Sequence, residues 1–185
     1  LMGGDITRDD VDYKTFDFDK IRNRVDEIRS WDFTTYTGRT DIRRISAETT
    51  LAAVQGRPFD IILIDHLALV RLNKKHGKVD GLDDFLEALR TEIADRYDPV
   101  IILLSQFRKI ADGGTPTMDD LRGSAAIQQI ADRVIFLKRY GTEEDQKPEG
   151  RMWNPKVRDG TRFRPLEVSL HPTLNKFIET GNIPT

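Results

Sequence analysis

Apolar positions along this chain recur at two spacings. Phe18, Ile21, Val25 and Ile28 return every three or four residues, which predicts an amphipathic helix over 17–30 with Asp17 as its cap. Phe33 to Thr37 is short, aromatic and β-branched, and Gly38 closes it, so it reads as a strand. Ile42, Ile45 and Ala52 carry a second helix after Thr40, ended by Gly56 and Pro58. Ile61-Ile62-Leu63-Ile64 is a continuous apolar run too short for a helix, the form of a parallel strand buried on both faces. Leu82, Phe85, Leu86, Leu89 and Ile93 mark the strongest helix. Val100 to Leu104, after Pro99, and Val134 to Leu137 are two further runs of the buried-strand kind, with a short helix around 124–131 between them.

The stretch 141–150 reads as a hinge or exposed loop by composition, and 151–157, 165–170 and 175–179 as short strands joined by turns. Helix–strand alternation followed by a strand-rich tail predicts an α/β fold: a mostly parallel sheet flanked by helices, with antiparallel strands at the C-terminal edge. A length of 185 residues suits one domain with an appendage at most. The 29 Lys and Arg against 31 Asp and Glu leave a net charge of −2, so a nucleic acid would have to be gripped by local patches and not by a global field. Cysteine is absent, which excludes disulfides, zinc–thiolate sites and thiol nucleophiles. No apolar run approaches a membrane span, no signal-peptide pattern opens the chain, and a cytoplasmic location is expected. Leu1 stands where a methionine would begin a complete chain, so a piece of a longer protein is expected.

Four groups of residues carry candidate chemistry. Asp65 directly follows the run Ile61–Ile64, and in open α/β sheets ligands bind beyond the carboxyl ends of the strands. A carboxylate there has the form of a Walker B magnesium ligand, against the plainer reading of a polar strand end. Ser105-Gln106 ends the next strand, where an amide can sense a γ-phosphate or merely satisfy a loop backbone. Arg122 and Gly123 before a helix start offer a cation and backbone N–H groups to a phosphate. The alternative is a capped helix with Arg122 paired to Asp119 or Asp120. Lys156-Val157-Arg158-Asp159-Gly160 puts two cations on one face of a strand that turns at Asp159-Gly160. Between Arg151 and Arg164 stand five cations and one acid, fit either to reach an anion on another molecule or to be a solvated hairpin end. Arg71, Lys74, Lys75 and Lys78 form a further basic loop, read as a DNA contact or as solvated surface. His66, His76 and His171 have no metal-ligand spacing, and His66 is assigned to packing.

In order and spacing, Ile64-Asp65-His66-Leu67, Leu104-Ser105-Gln106, Asp120-Leu121-Arg122-Gly123-Ser124 with Gln129-Ile130-Ala131-Asp132, and Lys156-Val157-Arg158-Asp159-Gly160 resemble the later motifs of the DnaB-type hexameric replicative helicases. The resemblance covers about 60–170 and implies a RecA-like fold. It divides the chain into a lead-in of helices and a first strand (1–59), a core from Walker B to the channel loop (60–140) and C-terminal strands (151–180). It further implies that Asp65 holds Mg2+, that Gln106 lies near the γ-phosphate of ATP, and that Arg122, Gly123 and Ala125 hold single-stranded DNA. Lys156 and Arg158 would complete the ATP site of a neighbouring subunit in a homo-hexamer, Arg158 as an arginine finger. A primase or helicase loader is the partner such a protein meets.

The sequence departs from that pattern in two ways. No Gly-x-x-x-x-Gly-Lys-Ser/Thr occurs, and the only Gly-Lys, Gly77-Lys78, lacks the upstream glycine. The phosphate loop is therefore expected on strands before this chain, and the isolated chain is expected to have little or no ATPase activity. The usual Arg-Glu-Ser-Gly of the channel loop reads Arg122-Gly123-Ser124-Ala125, without the acid. Two other readings share these residues: a non-catalytic oligomerisation or DNA-binding module on the same scaffold, and another RecA-like ATPase of recombinase or clock type.

Overall fold

The computed structural model describes residues 18–72, 77–108, 114–121, 124–141, 146–171 and 176–182. The chain forms two compact units. One runs from Thr37 to Arg133; the other combines the chain up to Tyr36 with the chain from Val134 onward.

In the first unit, helix α2 (Ile42–Val54) starts where Asp41 accepts the Arg44 N–H at 3.1 Å, satisfying one of the donors a helix start leaves open. Strands β1 (Ile61–Ile64) and β2 (Val100–Leu103) pair in parallel, Ile61 opposite Val100 and Leu63 opposite Ile102. Between them α3 (Gly77–Ala88) continues into a π-helical segment, Leu89–Ala94, and a last turn, Asp95–Tyr97. Leu82, Phe85, Leu86, Leu89 and Ile93 are all buried, as the helical spacing predicts. The Thr50 and Tyr97 hydroxyls, 2.8 Å apart, tie α2 to the end of this long helix. Arg90 reaches from the π-helical segment to Asp95 at 3.5 Å, to Asp132 at 3.2 Å and to the Ile130 carbonyl at 3.4 Å. It thereby fastens the end of α4 (Ser124–Ile130).

The expectation that β1 and β2 are buried on both faces is corrected. Ile62, Ile64, Ile101 and Leu103 are partly or fully covered, but Ile61, Leu63, Val100, Ile102 and Leu104 are each 42–60 % exposed. Pairing in register puts the exposed five on one face, since alternate residues point the same way. An apolar run shows that both faces of a strand suit burial, but burial itself depends on what packs there.

The second unit holds helix α1 (Phe18–Ser30) and a four-stranded sheet in the order β3 (Arg133–Gly141), β4 (Gln146–Val157), β5 (Leu166–His171) and β6 (Lys176–Asn182). β4–β5 and β5–β6 are antiparallel. The third run of the buried-strand kind, Val134–Leu137, therefore belongs to this sheet and not to the parallel pair. Likewise 146–150, read from composition as loop, extends β4, because pairing with a neighbour outweighs the local preference of polar residues. Gly150 is required there: a Cβ would stand 2.5 Å from the Lys138 carbonyl oxygen. Phe136 and Trp153 meet edge to face at 5.3 Å, and the Arg151 guanidinium lies 5.6 Å from the Trp153 ring. Phe33–Thr37, expected as a strand, has no strand conformation. Its β-branched residues favour extension, but a strand exists only with a ladder partner. The proposed cap Asp17 lies outside the described residues.

Candidate functional site

The carboxyl ends of β1 and β2 are joined beyond the ladder. Leu104 donates its N–H to the Ile64 carbonyl at 3.0 Å, and Leu67 donates to the Leu104 carbonyl at 2.9 Å. Asp65 and Ser105, next along each strand, therefore leave the sheet side by side, with Gln106 one residue further. Asp65 keeps its carboxylate 68 % exposed, and the His66 Nδ1 stands 3.8 Å from it. His66, assigned to packing from the sequence, is half-buried and flanks the candidate acid as well. Gln106 is exposed.

Asp65 suits a hard cation in its chemistry, but it is a single carboxylate. Among the described residues no three His, Asp or Glu side chains stand together as a metal-binding group. Magnesium keeps an octahedral shell made largely of water and phosphate oxygens, so Asp65 would supply one protein ligand and the remainder must come from nucleotide, water and other polypeptide.

The stretch after Gln106 returns to the sheet end through an antiparallel bridge between Phe107 and Leu121. Just before it closes, Thr117 and Asp120 form a reciprocal capping box around the turn Met118–Asp120. The Asp120 carboxylate accepts the Thr117 N–H at 2.7 Å and its hydroxyl at 2.8 Å. These bonds hold its pKa below the usual carboxylate value. Asp119 accepts from the Gln128 side-chain amide at 3.2 Å. Both acids that were alternative partners for Arg122 are thus engaged with other groups. Arg122 and Gly123 themselves lie outside the described residues, and Ala125 is exposed in the first turn of α4. The box was missed in the sequence, although Thr117-Met118-Asp119-Asp120 carries its spacing.

Lys156 and Arg158 stand at the end of β4, Lys156 half-buried and Arg158 exposed just past the strand. The expected turn follows: Gly160 has φ +103°, a conformation that costs glycine nothing. This pair belongs to the second compact unit, whereas Asp65, Ser105 and Gln106 belong to the first. Of the basic loop, Lys74 and Lys75 lie outside the described residues, and Lys78 falls in the first turn of α3. Among the described residues no helix is long and apolar enough to cross a membrane.

Comparison with known proteins places these features in a family. The chain is 29 % identical over 120 residues to a probable plasmid replicative DNA helicase of Chlamydia muridarum, covering 64 % of this chain and 26 % of that protein. It is 34 % identical over 89 residues to the replicative DNA helicase DnaB of Treponema pallidum, covering 46 % of this chain and 19 % of that protein. Among solved structures, one described as an ATPase domain superposes with a TM-score of 0.78 at 21 % identity, covering 95 % of this chain and 66 % of that one. A DnaB-like replicative helicase studied with primase gives 0.73 at 23 % identity, covering 88 % of this chain and 40 % of that one. These likenesses show the expected α/β, RecA-like fold. The chain spans about a quarter or less of the length of these two curated helicases. With residues 5–179 matched, the chain belongs to the family described as the DnaB-like helicase C terminal domain.

Proposed function

We propose that this chain is part of the motor of a replicative DNA helicase that moves along single-stranded DNA as a homo-hexameric ring, driven by ATP hydrolysis. The observation that carries the reading is the pairing of Asp65 with Ser105-Gln106 at the joined ends of two parallel strands. That is where α/β folds bind ligands, and the family match gives it a chemistry. In this reading Asp65 is a ligand to Mg2+, Gln106 stands near the γ-phosphate, and Arg122, Gly123 and Ala125 meet the strand. Lys156 and Arg158 act on the ATP of the adjacent subunit, Arg158 stabilising charge on the transferring phosphoryl group. A primase or a loader is its protein partner, and the bacterial cytoplasm or a virus-infected cell its setting. The family match does not favour a recombinase, a clock-type ATPase or a non-catalytic module.

The bare apolar face of β1 and β2 supports one further part of the reading: the working domain is larger than this chain. Parallel sheets carry helices on both faces, and about a third of the similar ATPase domain has no counterpart here. The phosphate loop is proposed to reside in that missing part.

The test uses the complete gene product. Asp65→Ala and Arg158→Ala are each expected to abolish single-strand-stimulated ATPase activity. An arginine finger contributes on the order of 10³ to 10⁵ in rate elsewhere. Rings mixed from the two inactive proteins should regain activity, since some interfaces then pair an intact Asp65 with an intact Arg158. Mixed rings as inactive as their components would overturn the shared site, and full activity of either variant would remove that residue from it.

A further inference from the structure

The stretch between β2 and α4 is closed at its base by several independent bonds. Phe107 bridges Leu121 in antiparallel fashion, and one step further the Arg108 N–H donates to the Asp120 carbonyl at 2.7 Å. Leu121 is only 5 % exposed, so the bridge is anchored in apolar packing. Asp120 acts twice: its carbonyl receives Arg108, and its carboxylate receives the N–H and the hydroxyl of Thr117. Gln128, on α4, holds Asp119 in the same turn. Arg122 and Gly123 come immediately after this clamp in sequence.

We propose that Asp120, with Thr117 as its partner, is a positioning residue for nucleic-acid binding. The capping box fixes the point from which the Arg122-Gly123 segment leaves, so opening the box weakens single-stranded DNA binding without removing any group that contacts the strand. The inference rests on the reading that this segment meets single-stranded DNA. Its physical basis is preorganisation: a segment that starts from a buried, bridged residue has less freedom to lose on binding.

The sign of the effect separates positioning from charge. Asp120 is an acid two residues from the proposed phosphate-binding cation. If it acted on DNA through its charge, its removal would relieve repulsion and tighten binding. A positioning role requires the opposite.

The experiment is fluorescence anisotropy of a labelled oligothymidylate with the 185-residue chain across a salt series. Circular dichroism and thermal melting are recorded for every variant. Asp120→Ala and Thr117→Val are expected to weaken binding about threefold to thirtyfold, the factor that loss of a cap corresponds to. Thr117→Ser restores the hydroxyl and should recover the affinity. Asp120→Asn retains an acceptor oxygen without the charge and should recover most of it. Binding that is unchanged or tighter in Asp120→Ala overturns the proposal, as does equal loss in Asp120→Asn and Asp120→Ala. Should Asp120→Ala fail to fold, the Thr117 pair decides alone, because valine and serine there leave the carboxylate in place. Arg122→Ala tests the underlying reading separately: it should lower the salt slope by about one. No salt-sensitive binding by the unaltered chain, or no effect of Arg122→Ala, defeats the DNA reading itself.

Discussion

Leu104 donates its backbone N–H to the Ile64 carbonyl at 3.0 Å, one step beyond the last registered pair of the parallel ladder. That bond carries the strand pairing up to Asp65 and Ser105, so two side chains forty residues apart in sequence emerge from the same sheet end. A site built on strand ends is more rigid than one built on free loops.

Asp65 is exposed, and its removal leaves the packing of β1 intact. Asp65→Ala in the complete protein should therefore melt within a few degrees of the unaltered protein while losing on the order of a hundredfold or more in ATPase rate, as expected for a lost metal ligand. Calorimetry beside a phosphate-release assay checks both halves. A large fall in melting temperature would make Asp65 a structural residue instead.

The exposed face formed by Ile61, Leu63, Val100, Ile102 and Leu104 should make the isolated chain sticky. It should bind a hydrophobic dye and self-associate without a defined stoichiometry. Leu63→Lys combined with Ile102→Lys should reduce both effects with little change in melting temperature. In the complete protein the same pair should impair folding, because the face is then covered. Light scattering and dye fluorescence on both forms provide the comparison, and a monomeric, dye-silent isolated chain would contradict it.

Tyr140 donates to both carboxylate oxygens of Glu167, at 2.6 and 2.9 Å. Its pKa is raised from 10.0 to about 12, first by burial and then by this bond and by the charge of Glu167. A folded pKa above the unfolded one means that the neutral phenol is the form the fold stabilises. The contribution is complete below pH 10 and disappears as pH rises through about 12. Ultraviolet titration should show one late-ionising tyrosine that Tyr140→Phe removes. Alkaline unfolding of Tyr140→Phe should differ least from the unaltered protein above that pH.

Ile93 is fully buried within the π-helical segment. Ile93→Ala should cost about 2–5 kcal/mol, the range for a buried aliphatic truncation that leaves a cavity. Val54→Ala, on the exposed side of α2, should change stability by less than about 0.5 kcal/mol. Denaturant melts of the two variants give the contrast.

Much of the fold was legible from residue spacing. The helices at Phe18–Ser30 and Ile42–Val54, the buried stripe from Leu82 to Ile93, and the strands at Ile61–Ile64 and Val100–Leu103 all emerged where periodicity placed them. These patterns are local: a side chain repeats every two or every 3.6 residues whatever lies elsewhere. Asp65 was legible for the same reason, as a carboxylate at the end of an apolar run.

Partnership over long distances was not legible, and tertiary structure alone settled it. Phe33–Thr37 has strand chemistry and no strand, while the polar 146–150 pairs within β4, because a ladder needs a second chain segment in reach. Val134–Leu137 looks like Ile61–Ile64 and yet joins a different sheet. The bridge from Phe107 to Leu121 closes a loop whose ends lie fourteen residues apart, and the exposed face of β1 and β2 depends on what packs against it. Local spacing encodes which way a side chain points, whereas hydrogen-bond partners and burial are properties of segments brought together from distant parts of the chain.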